Sequence, residues 1–384
     1  MNPPPHGRRT AVVIGAGVAG LAAAAALAVR FERVLVLDRD RLPDGPIPRR
    51  GIPQGAHPHV LLEPGRHGLE SLLPGLGADL QAAGASLLSS GSEVAFYRQG
   101  TLSAEPAVEP DMLCCTRPLL EWTIRRRVML LPNVRVEDGT AVHGLTGDAA
   151  RVTGVATDVG AHSADLVVDC SGRGSRSDRW LATIGAVAPP GQSVRVDVRY
   201  ATAAIGRTPN DLPVGSALYV LPTPPAETRF GAMLPIENDR WLVTLGGWHQ
   251  PSDAIVEAEA YLAFARTLPY PLIGNLLAQR ATRSTTIAMH AFPTSRRRRF
   301  AGLRHPAGFA ALGDCVASVN PIYGRGMTAA VLQAITLGEV LDRHPTVSTE
   351  LSRACFRAIN TIVDGHWRMA VEGDCLWPQT TCTA

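Results

Sequence analysis

Uninterrupted apolar positions mark the start of the readable pattern: 10–14 is TAVVI and 33–38 is RVLVLD. Apolar runs of this length without alternation predict strands buried on both faces, as in a parallel sheet covered by helices. The alanine-rich stretch over 18–30 between them predicts a helix. A loop rich in Pro, Gly and Arg covers 42–58, and helical patterning resumes over 59–73 and 116–130. From 134 to 168 the chain reads as short strands with turns at Asp138-Gly139 and Thr146-Gly147. The segments 192–205, 214–220, 228–235 and 240–247 carry aromatic and β-branched residues, bounded by Pro, Gly and Asn-Asp. No helix intervenes there, which predicts an antiparallel sheet. Helices return over 251–267, 324–342 and 348–372.

At 384 residues the chain is long enough for two lobes. The net charge of +3 is near balance and the basic residues are scattered, so no nucleic-acid surface is expected. The cluster 296–299 (RRRR) is the exception and reads as a solvated strand edge or turn. All 37 Lys+Arg residues are arginine. Schiff-base chemistry is thereby excluded, and arginine and backbone amides must hold any phosphate. Seven cysteines form no CxxC pair and no zinc spacing, which fits a reducing cytoplasm, and no metal site is expected. Arg8 and Arg9 before the charge-free run 11–29 imitate an export signal. Three glycines interrupt that run where a strand–turn–helix unit needs them, so no integral membrane segment is expected and the protein reads as cytoplasmic.

Those glycines are the first chemical motif. In GAGVAG (Gly15, Ala16, Gly17, Val18, Ala19, Gly20), the first glycine permits the tight turn and the second lets backbone approach a pyrophosphate. The third lets helix pack on strand, while the helix N-terminus supplies partial positive charge. Asp38, followed by Arg39, closes the next strand, where a carboxylate would accept hydrogen bonds from ribose hydroxyls. This motif alone does not separate NAD from FAD. The second motif, GFAALGDCVASVNPIYGRGMTAA over 308–330, does. A strand ending in Gly313-Asp314 feeds a helix through Pro321, Gly324, Gly326 and Met327. Asp314 suits the hydroxyls of a ribityl chain, and the glycines let backbone lie against a flat ring, which points to FAD.

Together the two segments resemble the FAD-dependent monooxygenases of the para-hydroxybenzoate hydroxylase type, the group A flavoprotein monooxygenases. ADLVVDCSGRGSR over 164–176 is similar to the family's middle motif, with Ser171 where the family's aspartate usually precedes the glycine. RRGIPQGAHPHVLL over 49–62 is similar to bacterial epoxidases and hydroxylases of polyketide-type substrates. The resemblance implies an α/β fold: a Rossmann-like FAD-binding domain from 1–85, 108–180 and 290–345, an antiparallel-sheet substrate domain from 86–107 and 181–289, and a helical segment over 346–384. It also implies that Arg50 and Gln54 reach the pyrophosphate or flavin edge, that Arg117 faces the cofactor, and that the backbone of Val142 meets the adenine.

His57 and His59 are the candidate catalytic pair. The implied chemistry is the cofactor's: with NAD(P)H as reductant, reduced FAD and O2 form a C4a-hydroperoxide that epoxidises or hydroxylates a small hydrophobic olefinic or aromatic natural-product intermediate. No side-chain nucleophile is then required, and Tyr200, Tyr219, Phe230, Met233 and Trp248 are candidate lining residues. Two other readings stay open: a reductase of isoprenoid double bonds, similar to geranylgeranyl reductases, and a flavin-binding paralogue without turnover. A halogenase would need a lysine and a Trp-x-Trp-x-Ile-Pro motif, and the sequence has neither.

Overall fold

The computed structural model describes residues 8–89, 91–104, 111–250, 255–280 and 286–383. A five-stranded parallel sheet runs in the order Phe309–Ala311, Leu166–Asp169, Thr10–Ile14, Arg33–Leu37, Val134–Glu137. The strand from the second glycine motif therefore lies two positions from the strand that opens the first. Helices Val18–Ala28, Gly326–Arg343 and Arg117–Met129 cover it, and the core includes Val12, Ala23, Val168, Ala310 and Val331, all fully buried.

The second large element is a nine-stranded sheet. It contains Gly191–Gly206, Arg240–Trp248, Arg229–Ile236 and Ala217–Val220, paired antiparallel in that order as the patterning predicts. Val94–Arg98 then joins Ala217–Val220 in parallel.

Three expectations are corrected. Residues 59–62 are not helical: His59–Leu62 pairs antiparallel with Met112–Cys115, and the helix is Glu63–Leu72. Pro64 explains the shift, because proline has no N–H to donate and is tolerated in the first turn of a helix but not in its interior. Residues 290–298 belong to the large sheet, within Ala288–Arg298, which pairs along Gly191–Gly206. Of the charged cluster there, Arg297 is buried against Asn360 and Asp364 instead of solvated. The helix expected over 251–267 is confined to Ala258–Ala265, with 251–254 outside the described residues. The C-terminal helix Thr349–Asp374 packs Leu351, Phe356 and Ile359 into the parallel-sheet core and Trp367 against the large sheet.

The large sheet has two differently covered faces. Ala201, Met233, Val243 and Leu245 point to helices Ala258–Ala265 and Leu272–Gln279. Tyr200, Phe230 and Trp248 form a cluster on the opposite face, and Leu234 on that same face packs with Val60 and Met112 next to the parallel-sheet half. Met233 thus belongs to the helix-covered face, which corrects its expected place among the lining residues.

Candidate functional site: a dinucleotide groove and the sheet face beside it

The three glycines of the first turn do different work. Gly15 lies at φ +101°, and a Cβ there would meet the Cys170 carbonyl oxygen at 2.7 Å. A Cβ on Gly20 would collide with the Gly15 carbonyl, because the helix lies directly on its own entry turn. Gly17 is the open one: the atoms nearest an added Cβ are the side-chain ends of Arg117 at 3.8 Å, Glu121 at 3.9 Å and Arg49 at 4.0 Å. The N-terminus of Val18–Ala28 therefore opens on a groove lined by two guanidinium groups and a carboxylate.

Asp38 accepts the Ala16 N–H at 2.7 Å and the Asp40 N–H at 2.9 Å. Arg49 joins this end to the groove: its Nη1 is 3.3 Å from Asp38 and 2.9 Å from Asp40, and its Nε donates to Glu121 at 2.6 Å. Glu121 also accepts from Arg117 at 3.1 Å. Burial opposes the charge on Arg49, but Glu121, Asp38 and Asp40 outweigh it and push its pKa up.

The second glycine turn arrives on the same groove. Gly313 (φ +68°) donates its N–H to Gln333 Oε1 at 2.8 Å, and a Cβ there would lie 2.9 Å from the Ala19 Cβ. Asp314 is half-buried; burial pushes its carboxyl pKa up, and the nearby charges of Arg117 and Arg173, with a hydrogen bond from Ser318, pull the other way. A Cβ on Gly326 would sit 3.9 Å from Asp314 Oδ1, so the start of Gly326–Arg343 is beside that carboxylate. Gly324, at φ +65°, comes against Val60, with Cγ2 3.0 Å from an added Cβ. Arg117 thus neighbours both Gly17 and Asp314. Around Arg117 the fold gathers a helix N-terminus and Arg49, as a diphosphate would need, and Asp38 and Asp314, as two sugars would need. That donor set fits FAD.

Beyond Val60 lies the inner face of the large sheet. Tyr200 is in register with His290 on one neighbouring strand and Gly246 on the other, and Gly246 in turn with Phe230. A Cβ on Gly246 would come within 2.5 Å of Tyr200 Cβ and 2.8 Å of Phe230 Cζ, so the missing side chain makes room for both rings. His57, 2% exposed, lies against this face. Its Nδ1 is 2.7 Å from Thr202 Oγ1, which is 2.7 Å from Thr244 Oγ1. Its ring meets Tyr200 edge-on at 4.7 Å and His290 at 5.7 Å, and Nε2 is buried without a partner. Burial, and then His290, push the His57 pKa down to about 4. His59 Nδ1 is 2.8 Å from the His57 carbonyl, and burial, then Arg117, push its pKa down to about 3.

At the far end, Asp374 is fully buried. One of its oxygens accepts from Asn320 at 2.8 Å, Tyr323 at 3.1 Å and Trp248 at 3.2 Å. Burial pushes its carboxyl up to about 6, against those three donors. This carboxyl ties the C-terminal helix to the turn that contains Pro321 and Gly324.

Of the residues expected from sequence, Gly15, Ala16, Gly17, Val18, Ala19, Gly20, Asp38, Arg117, Gly313, Asp314, Gly324 and Gly326 line or build the groove. Met327, half-buried, packs on the main core at the start of its helix. Arg50 is exposed, and the arginine paired with Asp38, Asp40 and Glu121 is its neighbour Arg49. Arg39 and Pro321 are also exposed. Gln54 sits in the short helical turn Pro53–Ala56, and its carbonyl accepts the His57 N–H at 3.0 Å. Val142 begins a strand just after Thr140, whose N–H donates to the Asp38 carbonyl at 2.8 Å.

Sequence reasoning missed Arg49, Glu121 and Asp169. Asp169 is fully buried and accepts from Ser171, Ser175 at 2.6 Å and Cys315 at 3.1 Å. It ties the middle motif to the second glycine turn; its place at the end of an apolar run, like that of Asp38, was the available signal.

No family model matches the chain. Protein Rv3254 of Mycobacterium tuberculosis is 32% identical to it over 97% of this chain and 81% of that protein. The chain belongs to the same family as Rv3254. Its fold is shared by solved flavin-dependent enzymes. PqsL of Pseudomonas aeruginosa, a probable FAD-dependent monooxygenase, superposes with TM-score 0.68 at 18% identity, over 93% of this chain and 94% of that one. 2-Methyl-3-hydroxypyridine-5-carboxylic acid oxygenase gives 0.69 at 17% identity, over 93% and 88%. The flavin-dependent brominase Bmp2, as a triple mutant, gives 0.67 at 18% identity, over 94% and 86%. In fold, this member of the Rv3254 family is like those flavin-dependent enzymes. Among its described residues no helix is long and apolar enough to cross a membrane, and no cluster of three His, Cys, Asp or Glu could hold a metal ion.

Proposed function

We propose that this protein is an FAD-dependent monooxygenase that places one oxygen atom from O2 on a small hydrophobic aromatic or olefinic compound, with NAD(P)H as reductant. The observation that carries the reading is the meeting of Gly313 and Ala19 at one groove, with Arg117 beside both Gly17 and Asp314. When bound, FAD supplies the oxygen-activating chemistry. The chain's own residues have four tasks. Gly17 and the N-terminus of Val18–Ala28 seat the diphosphate, with Arg49 and Arg117, each paired to a carboxylate, alongside. Asp38 and Asp314 take sugar hydroxyls. The Asn320–Gly326 turn, held by Asp374, sets backbone against the ring. The sheet face of Tyr200, Phe230 and His57 orients the substrate and excludes water, which would otherwise divert the oxidation to free peroxide.

The test is product analysis under isotopically labelled O2 with NADH or NADPH and a panel of phenols and olefins. A product bearing one labelled oxygen is expected. A product that has gained two hydrogens would establish reductase chemistry in its place, and peroxide as the only product would establish flavin binding without productive turnover.

A further inference from the structure

His57 is one of several buried groups whose hydrogen bonding the fold leaves unfinished, and it lies on the sheet face of Tyr200 and Thr202. It is 2% exposed, and one ring nitrogen is tied to the Thr202–Thr244 hydroxyl pair while the other has no partner. Burying an imidazole nitrogen without a hydrogen bond is unfavourable, so such a group points to a ligand that completes it. The rings around it, Tyr200 at 4.7 Å and His290 at 5.7 Å, make an aromatic wall. Phe230 lies one register position beyond Gly246 on the same face.

We propose that His57 Nε2 is the polar anchor of the substrate site and that it selects an uncharged hydroxyl, as in a phenol or enol, over a carboxylate. The proposal deepens the monooxygenase reading and rests on it for the word substrate. The surrounding charges argue for a neutral ligand group. Burial keeps His57 uncharged at neutral pH, and burial, then the nearby Arg173, push the His290 pKa down as well. The cations close by are committed: Arg117 to Glu121, and Arg173 to Ser318 Oγ and the Thr294 carbonyl while lying 4.6 Å over the Phe292 ring. His59 is tied to the His57 carbonyl. A carboxylate would be desolvated here with Arg117 and Arg173 already paired, whereas a hydroxyl is satisfied by either tautomer of His57. The Thr202 and Thr244 hydroxyls can rotate to switch Nδ1 between donor and acceptor, so Nε2 can serve as the complement.

The test is calorimetric titration of the purified protein with 2-naphthol and with 2-naphthoate, for the wild type, His57→Leu, His57→Gln and Thr202→Val. Naphthol is expected to bind about tenfold more tightly than naphthoate, and His57→Leu to remove about that factor for naphthol alone, the worth of one buried hydrogen bond. His57→Gln, which keeps a hydrogen-bonding group, restores part of the loss. Thr202→Val, which leaves the imidazole in place, guards against a His57 variant that fails to fold and weakens naphthol severalfold. Naphthoate binding as tightly as naphthol, or naphthol affinity unchanged in both His57→Leu and Thr202→Val, overturns the proposal. Heats of binding do not require flavin, so the visible spectrum reports separately on FAD: colourless protein that still discriminates the pair sinks the cofactor reading and leaves the anchor standing.

Discussion

A β-carbon added to Gly313 would stand 2.9 Å from the Cβ of Ala19, so two turns almost three hundred residues apart are packed tightly enough to exclude a methyl group. Neither turn can shift without the other. The relationship depends on strand order: Phe309–Ala311 and Thr10–Ile14 flank Leu166–Asp169, and both therefore deliver their turns to the same end of the sheet. Ligand sites in open α/β sheets lie at that end, beyond the carboxyl ends of the strands.

The glycines of the first turn should separate stability from binding. Gly20→Ala drives a Cβ into the Gly15 carbonyl and should cost about 1–3 kcal/mol or more, read by urea unfolding. Gly17→Ala meets no atom closer than 3.8 Å. It should change stability by no more than about 1 kcal/mol while lowering the FAD retained through purification, read as flavin absorbance per protein. Equal losses of stability in both variants would contradict the groove.

Arg49 and Arg50 should behave as different residues despite their adjacency. Arg49→Ala removes the shared cation of Asp38, Asp40 and Glu121 and should destabilise by about 3–5 kcal/mol. Arg50→Ala, at an exposed position, should stay within about 0.5 kcal/mol. Chemical denaturation at pH 7 checks both.

Stability should fall in acid partly through His57. Its folded pKa, about 4, lies below the unfolded value of about 6.5, so between these the unfolded chain binds the extra proton and stability drops as pH falls. The slope is on the order of 1 kcal/mol per pH unit. Asp374 acts in the opposite sense: its folded pKa is raised to about 6, so its contribution declines as pH rises from about 4 to 6. Across pH 4–6.5, unfolding free energies should therefore depend less steeply on pH in His57→Leu and more steeply in Asp374→Asn than in the wild type.

Met233 tests which sheet face is the chamber. Met233→Ala should cost about 2–5 kcal/mol through the cavity it leaves among Tyr261, Ile273 and their neighbours. It should leave naphthol affinity unchanged by calorimetry, since its side chain lies on the helix-covered face.

Much of this architecture was legible in the amino-acid order. Unbroken apolar runs marked the buried parallel strands, and the backbone geometry displays the tight turn predicted at Gly15 and the close packing predicted at Gly20, with Gly17 open between them. These are local properties: a tight turn or a helix start is written in a few adjacent residues. The antiparallel block was readable for the same reason, from short β-rich runs punctuated by turn residues. His59–Leu62 was harder, because four apolar or aromatic-like positions suit a helix and a strand alike until a partner strand appears. Ala288–Arg298 was hidden by its arginines, of which Arg297 is buried through Asn360 and Asp364 far along the chain.

What the sequence by itself determined is the set of turns and strands able to receive a dinucleotide, because glycine conformation and apolar continuity act over a few residues. Only the tertiary structure decided that Arg49 and not Arg50 enters the groove, that Met233 faces away from Tyr200, and that His57 meets Thr202. Each of those outcomes depends on which way a side chain leaves a pleat or an irregular loop, and that is settled by strand pairing and burial across distant parts of the chain.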